Sequence, residues 1–419
     1  LDNNGILYNV IQEFCTQRAY MCVDAISAVD MGYIFEELVR KFSESYDEQA
    51  GAHFTARDII YLMAEILVAP KREQLQEDGI TASIYDMTMG TSQMLDCLSE
   101  KLYEIDADAQ LTEFGQELNE QTFAIAKANM LIKGGNADNM MHGNTLSDDK
   151  FADYEFDYII SNPPFGIEWK NEKKKVEEEH AKKDAGRFGA GLPAIGDSQQ
   201  LFMLNGVAKL KETGRMAIIQ NGSPLFKGDA GSGESNIRGY LLENDWIEAI
   251  VQLPNDMFYN TGIATYIWVV TKNKGAERVG KVQLVDASKC FEKRRKSLGS
   301  KRNEFTDRCI ALIMQAYRAF ADGEYRDGDL VVECKVKEND DFKYSKVTVE
   351  RPLCDESGNP ILKKGKPQAD SAKRDTENIS WKEDVEAYMQ KNVYPYAPAA
   401  RIDEKKTTAG YEKPFTREF

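Results

Sequence analysis

Between about residues 50 and 290 the sequence switches repeatedly between two periods, and this alternation narrows the fold more than any single motif. Short runs rich in β-branched and aromatic residues recur: ASIYD, LTEFGQEL, FDYIIS, RMAIIQNG, IEAIVQLP, ATYIWVVT and KVQLVDA. Between the first several lie stretches with helical spacing. RDIIYLMAEIL sets Ile59, Ile60, Met63, Ile66 and Leu67 on one face. NEQTFAIAKANMLIKGG has Asn119 suited to the N-cap and Gly134 or Gly135 to the C-terminal stop. Strand, helix, strand in repetition predicts an α/β unit with a mostly parallel sheet covered on both faces. The last strands follow one another through short connections, which predicts an antiparallel hairpin at one edge.

The chain has 419 residues, 42% of them hydrophobic, enough for a full core and more than one domain. Residues 1–48 read as the end of a helical domain, with Ile34, Leu38 and Phe42 at roughly four-residue steps. Residues 49–290 hold the alternating pattern, and 291–419 form a C-terminal helical and extended region. Residues 168–197 are charged and then Gly/Pro-rich, the composition of a mobile loop or exposed helix rather than core. Residues 355–376 read as a flexible insertion. The chain starts at Leu1 rather than Met, so a trimmed sequence is expected; no leader peptide and no membrane span is expected either.

The seven cysteines are scattered and never spaced CxxC, and with three histidines they make no metal-ligand cluster. A reducing cytoplasm is the simplest setting. The formal net charge of −16 speaks against a protein that grips a phosphate backbone over its whole surface. A role on nucleic acid needs a local basic region or a basic partner.

Ligands of open parallel sheets sit at the carboxyl ends of the strands. SIYDMTMGTSQML ends a strand on Asp86, allows a tight turn at Gly90 and offers Thr91 and Ser92 before a helix. By itself it reads equally well as an ordinary strand–turn–helix joint. Glu117 ends the next strand, where a carboxylate can accept ribose hydroxyls, although an acid favoured by a helix N-terminus is the commoner reason for one there. Asn144 follows a short strand, where an amide can read an adenine edge. The sharpest signal is SNPPFG, Ser161 to Gly166. Pro163 and Pro164 fix φ and remove two backbone donors, leaving the Asn162 oxygen and nearby carbonyls as a cluster of acceptors beside the Phe165 ring. Such a corner suits a planar amino group.

This combination resembles the amino-group DNA methyltransferases, with their Asn/Asp/Ser-Pro-Pro-aromatic signature. More closely it resembles the modification (M) subunit of type I restriction–modification systems. GAHFTARDII, GQELNEQTFAIAKANMLIKG, NDMFYNTGIATYIWVV and AGYEKPFTREF carry the likeness over most of the chain. The resemblance implies a Rossmann-like core that binds S-adenosylmethionine, with a seven-stranded, mostly parallel sheet, and methylates adenine N6 in DNA. It assigns catalysis to Asn162, Pro163, Pro164 and Phe165. It places His53, Phe54, Thr55 and Arg57 around the methionine end of the cofactor. Asp86, Thr88, Gly90, Thr91 and Ser92 form the loop beneath it, Glu117 holds the ribose and Asn144 lies near the adenine. Four positions depart from the family pattern: Met87 and Ala56 where Pro is usual, the bulkier Gln93, and Asn144 where Asp is common.

The implied chemistry is positional. Acceptance of two N–H bonds by Asn162 and the Pro163 carbonyl would favour a pyramidal amino nitrogen and aim its lone pair, with Phe165 stacking on an extruded base. The implied partners are double-stranded DNA, a specificity (S) subunit that reads the sequence, a second copy of the chain and a restriction (R) subunit. KCFEKRRKSLGSKR, with Lys293, Arg294, Arg295, Lys296, Lys301 and Arg302, is the best strip for phosphate contact, although such runs are more often solvated surface. Lys173, Lys174 and Lys175 are a second one. Two other readings stay open: a silent scaffold subunit, to which Met87 and Gln93 lend support, and a methyltransferase for RNA or a protein glutamine. A nicotinamide enzyme fits poorly, because no G-x-G-x-x-G follows the first strand.

Overall fold

The computed structural model describes residues 6–16, positions 26 and 34, and 55–419 apart from 259–260, 299, 356–358, 364, 413–414 and 416–417. Helix α1 (Ile6–Phe14) lies in the N-terminal segment, and most of the helical run expected up to residue 48 falls outside the described residues. The strands are β1 (Thr81–Asp86), β2 (Gln110–Glu117), β3 (Met140–His142), β4 (Phe156–Ser161), β5 (Leu210–Asn221), β6 (Ile247–Gln252), β7 (Thr265–Thr271) and β8 (Lys281–Lys289). Among them run α2 (Arg57–Val68), α3 (Arg72–Asp78), α4 (Gln93–Ile105), α5 (Glu120–Ile132), α6 (Lys173–His180), α7 (Gln199–Ala208), α8 (Ser223–Phe226) and α9 (Gly233–Glu243). Downstream follow β9 (Glu292–Leu298), β10 (Lys301–Glu304), α10 (Asp307–Ala319), β11 (Gly323–Asp327), β12 (Leu330–Glu338) and β13 (Lys343–Glu350).

The expected alternation is present. Strands β3, β2, β1, β4 and β5 lie side by side and parallel. The antiparallel pairing sits deeper than the sequence predicts: β7 is wedged between β5 and β6 and runs against both. The sheet then continues through β8, β12 and β11, ten strands in all among the described residues. Its edge on that side is the β11–β12 hairpin. The sheet therefore does not stop at residue 290. Helix α10 buries Leu312, Ile313 and Ala316, and β12 buries Val332 and Cys334, in the same core as β1 and β6.

Two apolar layers explain why these strands read as continuous hydrophobic runs rather than as clean alternation. Along β5, Ala217 and Ile219 face the layer with α2, α4 and α10, while Met216 and Ile218 face the layer with α7 and α9. Helix α2 buries the predicted stripe, including Ile59, Ile60, Met63, Ile66 and Leu67. Asn119 caps α5 as expected, its side chain accepting from the Thr122 N–H at 3.0 Å.

Two segments depart from the composition-based expectation. Residues 168–197 are not a solvated loop: Trp169, Val176 and Phe188 are buried in the second layer, with α6 carrying its Lys and Glu outward. Beyond β12, β13 pairs with Asp375–Ser380, Arg401–Ile402 and Thr408–Tyr411 in a separate sheet. Within 355–376, Leu362–Lys363 pairs with Lys366–Pro367. The final residues return to the main unit. Tyr411 and Phe415 are buried in its second layer, and Arg238 donates to the Tyr411 carbonyl. Among the described residues no helix is long and apolar enough to cross a membrane.

Candidate active site

Because β1 to β4 run parallel, their carboxyl ends open on one edge of the sheet, and the loops that follow wall a cavity of about 440 Å³. The loop after β1 turns at Gly90, whose φ of +54° is left-handed. The Gly90 N–H donates to Glu117 Oε2 at 3.0 Å and the Asn119 N–H to Glu117 Oε1 at 2.7 Å. The last residue of β2 thus braces the loop after β1. Further along the wall come Leu118, Asn144, Thr145 and Leu146, then Asn162, Pro164, Ile167, Glu168 and Glu172, and finally Ser198 and Phe202 of α7. The carboxylates Asp86, Glu117, Glu168 and Glu172 all line this cavity, and among the described residues no lysine or arginine does. A cationic ligand is favoured there.

Asp86 is fully buried. Its Oδ1 accepts from the Ser161 hydroxyl at 2.6 Å and the Thr88 N–H at 3.0 Å, and its Oδ2 is buried with no partner among the described residues. Burial pushes this carboxyl up to about 7, against the pull of Ser161 and Thr88 and with the nearby Glu117 charge adding to the rise. Thr88 and Ser161 also share a hydroxyl contact at 2.9 Å, so the ends of β1 and β4 are tied together at the cavity floor.

The Asn162 amide has one end satisfied. Its Nδ2 donates to Thr55 Oγ1 at 2.9 Å, while its Oδ1 is buried with no partner among the described residues. A buried acceptor left open costs on the order of 1–3 kcal/mol, so natural proteins keep such atoms rare. Pro163 is buried behind it and Pro164 faces the cavity.

Of the sequence-predicted residues, Thr55, Asp86, Thr88, Gly90, Thr91, Glu117, Asn144, Asn162 and Pro164 converge on this cavity. Four others do not: Pro163, buried behind Asn162, and Arg57, Ser92 and Phe165. Arg57 donates to the Tyr61 hydroxyl at 3.2 Å and lies 3.9 Å from Glu100. Ser92 is buried at the start of α4 and accepts from Asn129 Nδ2 at 2.9 Å. Phe165 turns its ring to Phe258, edge to face at 6.3 Å, and is not part of the cavity wall. His53 and Phe54 lie outside the described residues.

The departures are absorbed locally. Met87 is buried, its carbonyl accepting from Thr145 at 2.5 Å and its sulfur from Asn205 at 3.4 Å. Gln93, with its amide turned, donates to the Thr55 carbonyl at 3.1 Å and accepts from Arg57 at 3.2 Å. Asn144 Oδ1 accepts from the Leu146 N–H and its Nδ2 donates to Glu172 Oε1, both at 2.9 Å. Sequence reasoning missed Ser161, Thr145 and Glu172. Only Ser161 had a signal, a small hydroxyl residue directly before the Asn-Pro-Pro corner.

The basic strip is corrected in part. Lys301 is buried, held by Asp58 at 2.9 Å and the Met257 carbonyl at 3.1 Å, and Arg294 pairs with Glu304. Lys293, Arg295 and Arg302 are exposed on the β9–β10 ribbon. That ribbon docks beside the corner through Arg302 N–H to the Asp256 carbonyl (2.9 Å) and Asn303 to the Asn255 carbonyl (2.8 Å). Lys173 and Lys175 lie close to Glu177 and Glu178 on α6.

Comparison with known proteins addresses the family and the fold. The family model for N-6 DNA methylase matches residues 27–352. The methylase subunit of the type I restriction enzyme MjaIX of Methanocaldococcus jannaschii is 26% identical over 331 residues, covering 78% of this chain and 55% of the relative. That of MpnII from Mycoplasma pneumoniae is 26% identical over 279 residues, covering 64% and 48%. The crystal structure of a type I restriction-modification system methyltransferase subunit from Streptococcus thermophilus superposes with a TM-score of 0.62 at 26% identity, over 77% of this chain and 63% of that one. The chain spans about half the length of the curated relatives it matches. The chain belongs to the N-6 DNA methylase family.

Proposed function

We propose that this chain transfers a methyl group from S-adenosylmethionine to the N6 of adenine in DNA, as part of the modification subunit of a type I restriction–modification complex. The observation that carries the reading is the open, buried Oδ1 of Asn162, fixed in orientation by Thr55 at the carboxyl edge of a methyltransferase sheet. An acceptor so placed lacks only a donor, and an exocyclic amino group is one.

The residues fit the cofactor. A sulfonium–ammonium cation suits a cavity lined by four carboxylates, Asp86 Oδ2 has an acceptor position to give, and Glu117 stands where ribose hydroxyls are taken in doubly wound folds. When bound, S-adenosylmethionine supplies a methyl group on a positively charged sulfur, a good electrophile with a neutral leaving group. The protein's share is alignment. Asn162 Oδ1 and the Pro163 carbonyl would accept the two N–H bonds of the target amino group, concentrating its lone pair toward the cavity. One proton leaves that nitrogen for solvent as the new C–N bond forms. Pro163, lacking an N–H, offers nothing that competes for the acceptors. The half-buried Phe165 and buried Phe258 would flank the extruded base on the outer side.

The exposed Lys293, Arg295 and Arg302 beside the corner are the proposed phosphate contacts, few enough to agree with an acidic chain that relies on a specificity subunit, a second copy of itself and, for cleavage, a restriction subunit, all in the cytoplasm. The test is a methylation map. The chain is co-expressed with its neighbouring specificity gene in a host lacking adenine methylation, with Asn162→Ala as control. N6-methyladenine in one split sequence, absent in the variant and absent without the partner, is the expected result. Unmethylated DNA with both proteins soluble and associated would overturn the reading.

A further inference from the structure

One carboxylate on the cavity wall was not anticipated from any motif. Glu172 stands at the start of α6, in the segment that follows the catalytic corner, and reaches the wall formed by the loop after β3. Its Oε1 accepts from Asn144 Nδ2 at 2.9 Å, and its Oε2 has no hydrogen-bond partner among the described residues.

The inference rests on the reading that the cavity takes S-adenosylmethionine. With the ribose on Glu117, the base lies past β2 toward β3, against Leu118, Leu146 and Asn144. Adenine presents a 6-amino donor and needs an acceptor there. Asn144 is poorly suited to accept it, because its oxygen is turned to the Leu146 N–H and its nitrogen, a donor, points to Glu172. The Thr145 hydroxyl is turned to the Met87 carbonyl. Of the two carboxylates that the segment after β4 brings to the cavity, Glu168 and Glu172, only Glu172 is tied to the loop after β3, by the Asn144 amide, and it is the acceptor on this wall.

We propose that Glu172 is the adenine-recognising residue of the cofactor site, its carboxylate accepting the 6-amino group while Asn144 acts as the positioning residue that holds it. Because Glu172 follows the Asn-Pro-Pro-Phe corner in the chain, recognition of the base also fixes the segment leading away from the catalytic acceptor.

The experiment is calorimetric titration of the purified chain with S-adenosylhomocysteine and with its 6-oxo analogue, S-inosylhomocysteine. The unaltered chain is expected to bind the amino ligand about ten- to a hundredfold more tightly, the worth of one charge-assisted hydrogen bond. Glu172→Ala is expected to weaken the amino ligand by that factor and leave the 6-oxo ligand within about twofold. Asn144→Asp added to Glu172→Ala restores an acceptor on the same wall and is expected to recover most of the loss. Equal loss for both ligands, or no loss for either, overturns the assignment of Glu172 while leaving the methyl-transfer reading standing. Should Glu172→Ala fail to fold, the preference of the unaltered chain decides: no discrimination between the two ligands overturns the proposal. No binding of either ligand by the unaltered chain overturns the cofactor reading, and this inference with it.

Discussion

Two carboxylates buried in the same sheet meet opposite fates. Glu248 on β6 has both oxygens engaged: Arg215 donates to them at 2.8 and 3.0 Å, and the Tyr317 hydroxyl donates to one. Burial alone would raise its carboxyl, but the Arg215 guanidinium outweighs burial and holds it at about 2. Asp86 on β1 has one oxygen engaged by neutral donors and the other open, and burial carries it up to about 7. The first is a structural network joining β5, β6, α2 and α10 in which both carboxylate oxygens are met by donors, although Arg215 Nε has no partner among the described residues. The second is a site that the protein leaves incomplete, and incompleteness is what a ligand can use.

The largest effect should come from breaking the Arg215–Glu248 pair. Glu248→Gln strands Arg215 in the core without a charge partner, and a cost of about 3–5 kcal/mol in urea unfolding is expected. A loss under about 1 kcal/mol would mean that the pair is not the anchor described. The opposite sign is expected at Asp86. Its folded-state value lies above that of the unfolded chain, so the stability it removes builds up as pH rises from about 4 to 7. Asp86→Asn should therefore gain on the unaltered chain across that window, by about 4 kcal/mol at pH 8. Taking the difference between the two proteins isolates Asp86 from Glu113, which burial also pushes up to about 7. Glu248 behaves conversely, stabilising above the unfolded carboxyl range and losing that contribution as pH falls toward 2.

Ligand binding sharpens the same contrast. Affinity for S-adenosylhomocysteine should rise as pH goes from about 6 to 8 in the unaltered chain, and Asp86→Asn should be flat and about tenfold weaker at pH 8. A parallel rise in the variant would remove Asp86 from the ligand contacts. The smallest effect expected is at Thr55. Thr55→Val frees the Asn162 amide to turn, so the methylation rate should fall by about threefold to tenfold with ligand affinity within about twofold. An affinity loss with the rate intact would instead return Thr55 to the cofactor.

The parts of this molecule legible in the sequence are those governed by local chemistry. Strand ends at Asp86, Glu117 and Asn162 follow from apolar runs that stop at acids, glycines and prolines, and the α2 stripe follows from its spacing. Lys301 could not be read that way. Within a run of basic residues it looks solvated, and only the fold brings Asp58 to it from 243 residues away. In residues 168–197 the many Lys and Glu side chains mask three apolar anchors, Trp169, Val176 and Phe188, so composition pointed to a loop where there is packing. Arg57 shared a motif with Thr55 yet takes other partners, because Thr55 precedes α2 and holds Asn162 while Arg57 begins the helix and reaches Tyr61 one turn on. Glu172 carried no signal, since its partner Asn144 belongs to another loop.

The start of α2 is clipped twice. Thr55 holds Asn162 from 107 residues earlier in the chain, and Asp58, one turn along, is held by Lys301 and by the Phe305 N–H. A ribosome finishes the Asn-Pro-Pro-Phe corner on the order of ten seconds before it reaches Lys301. Until then the segment that orients the acceptor amide lacks its second anchor. A nascent chain therefore carries the Asn-Pro-Pro-Phe motif well before it carries the geometry proposed to use it, which is completed only when the β9–β10 ribbon docks.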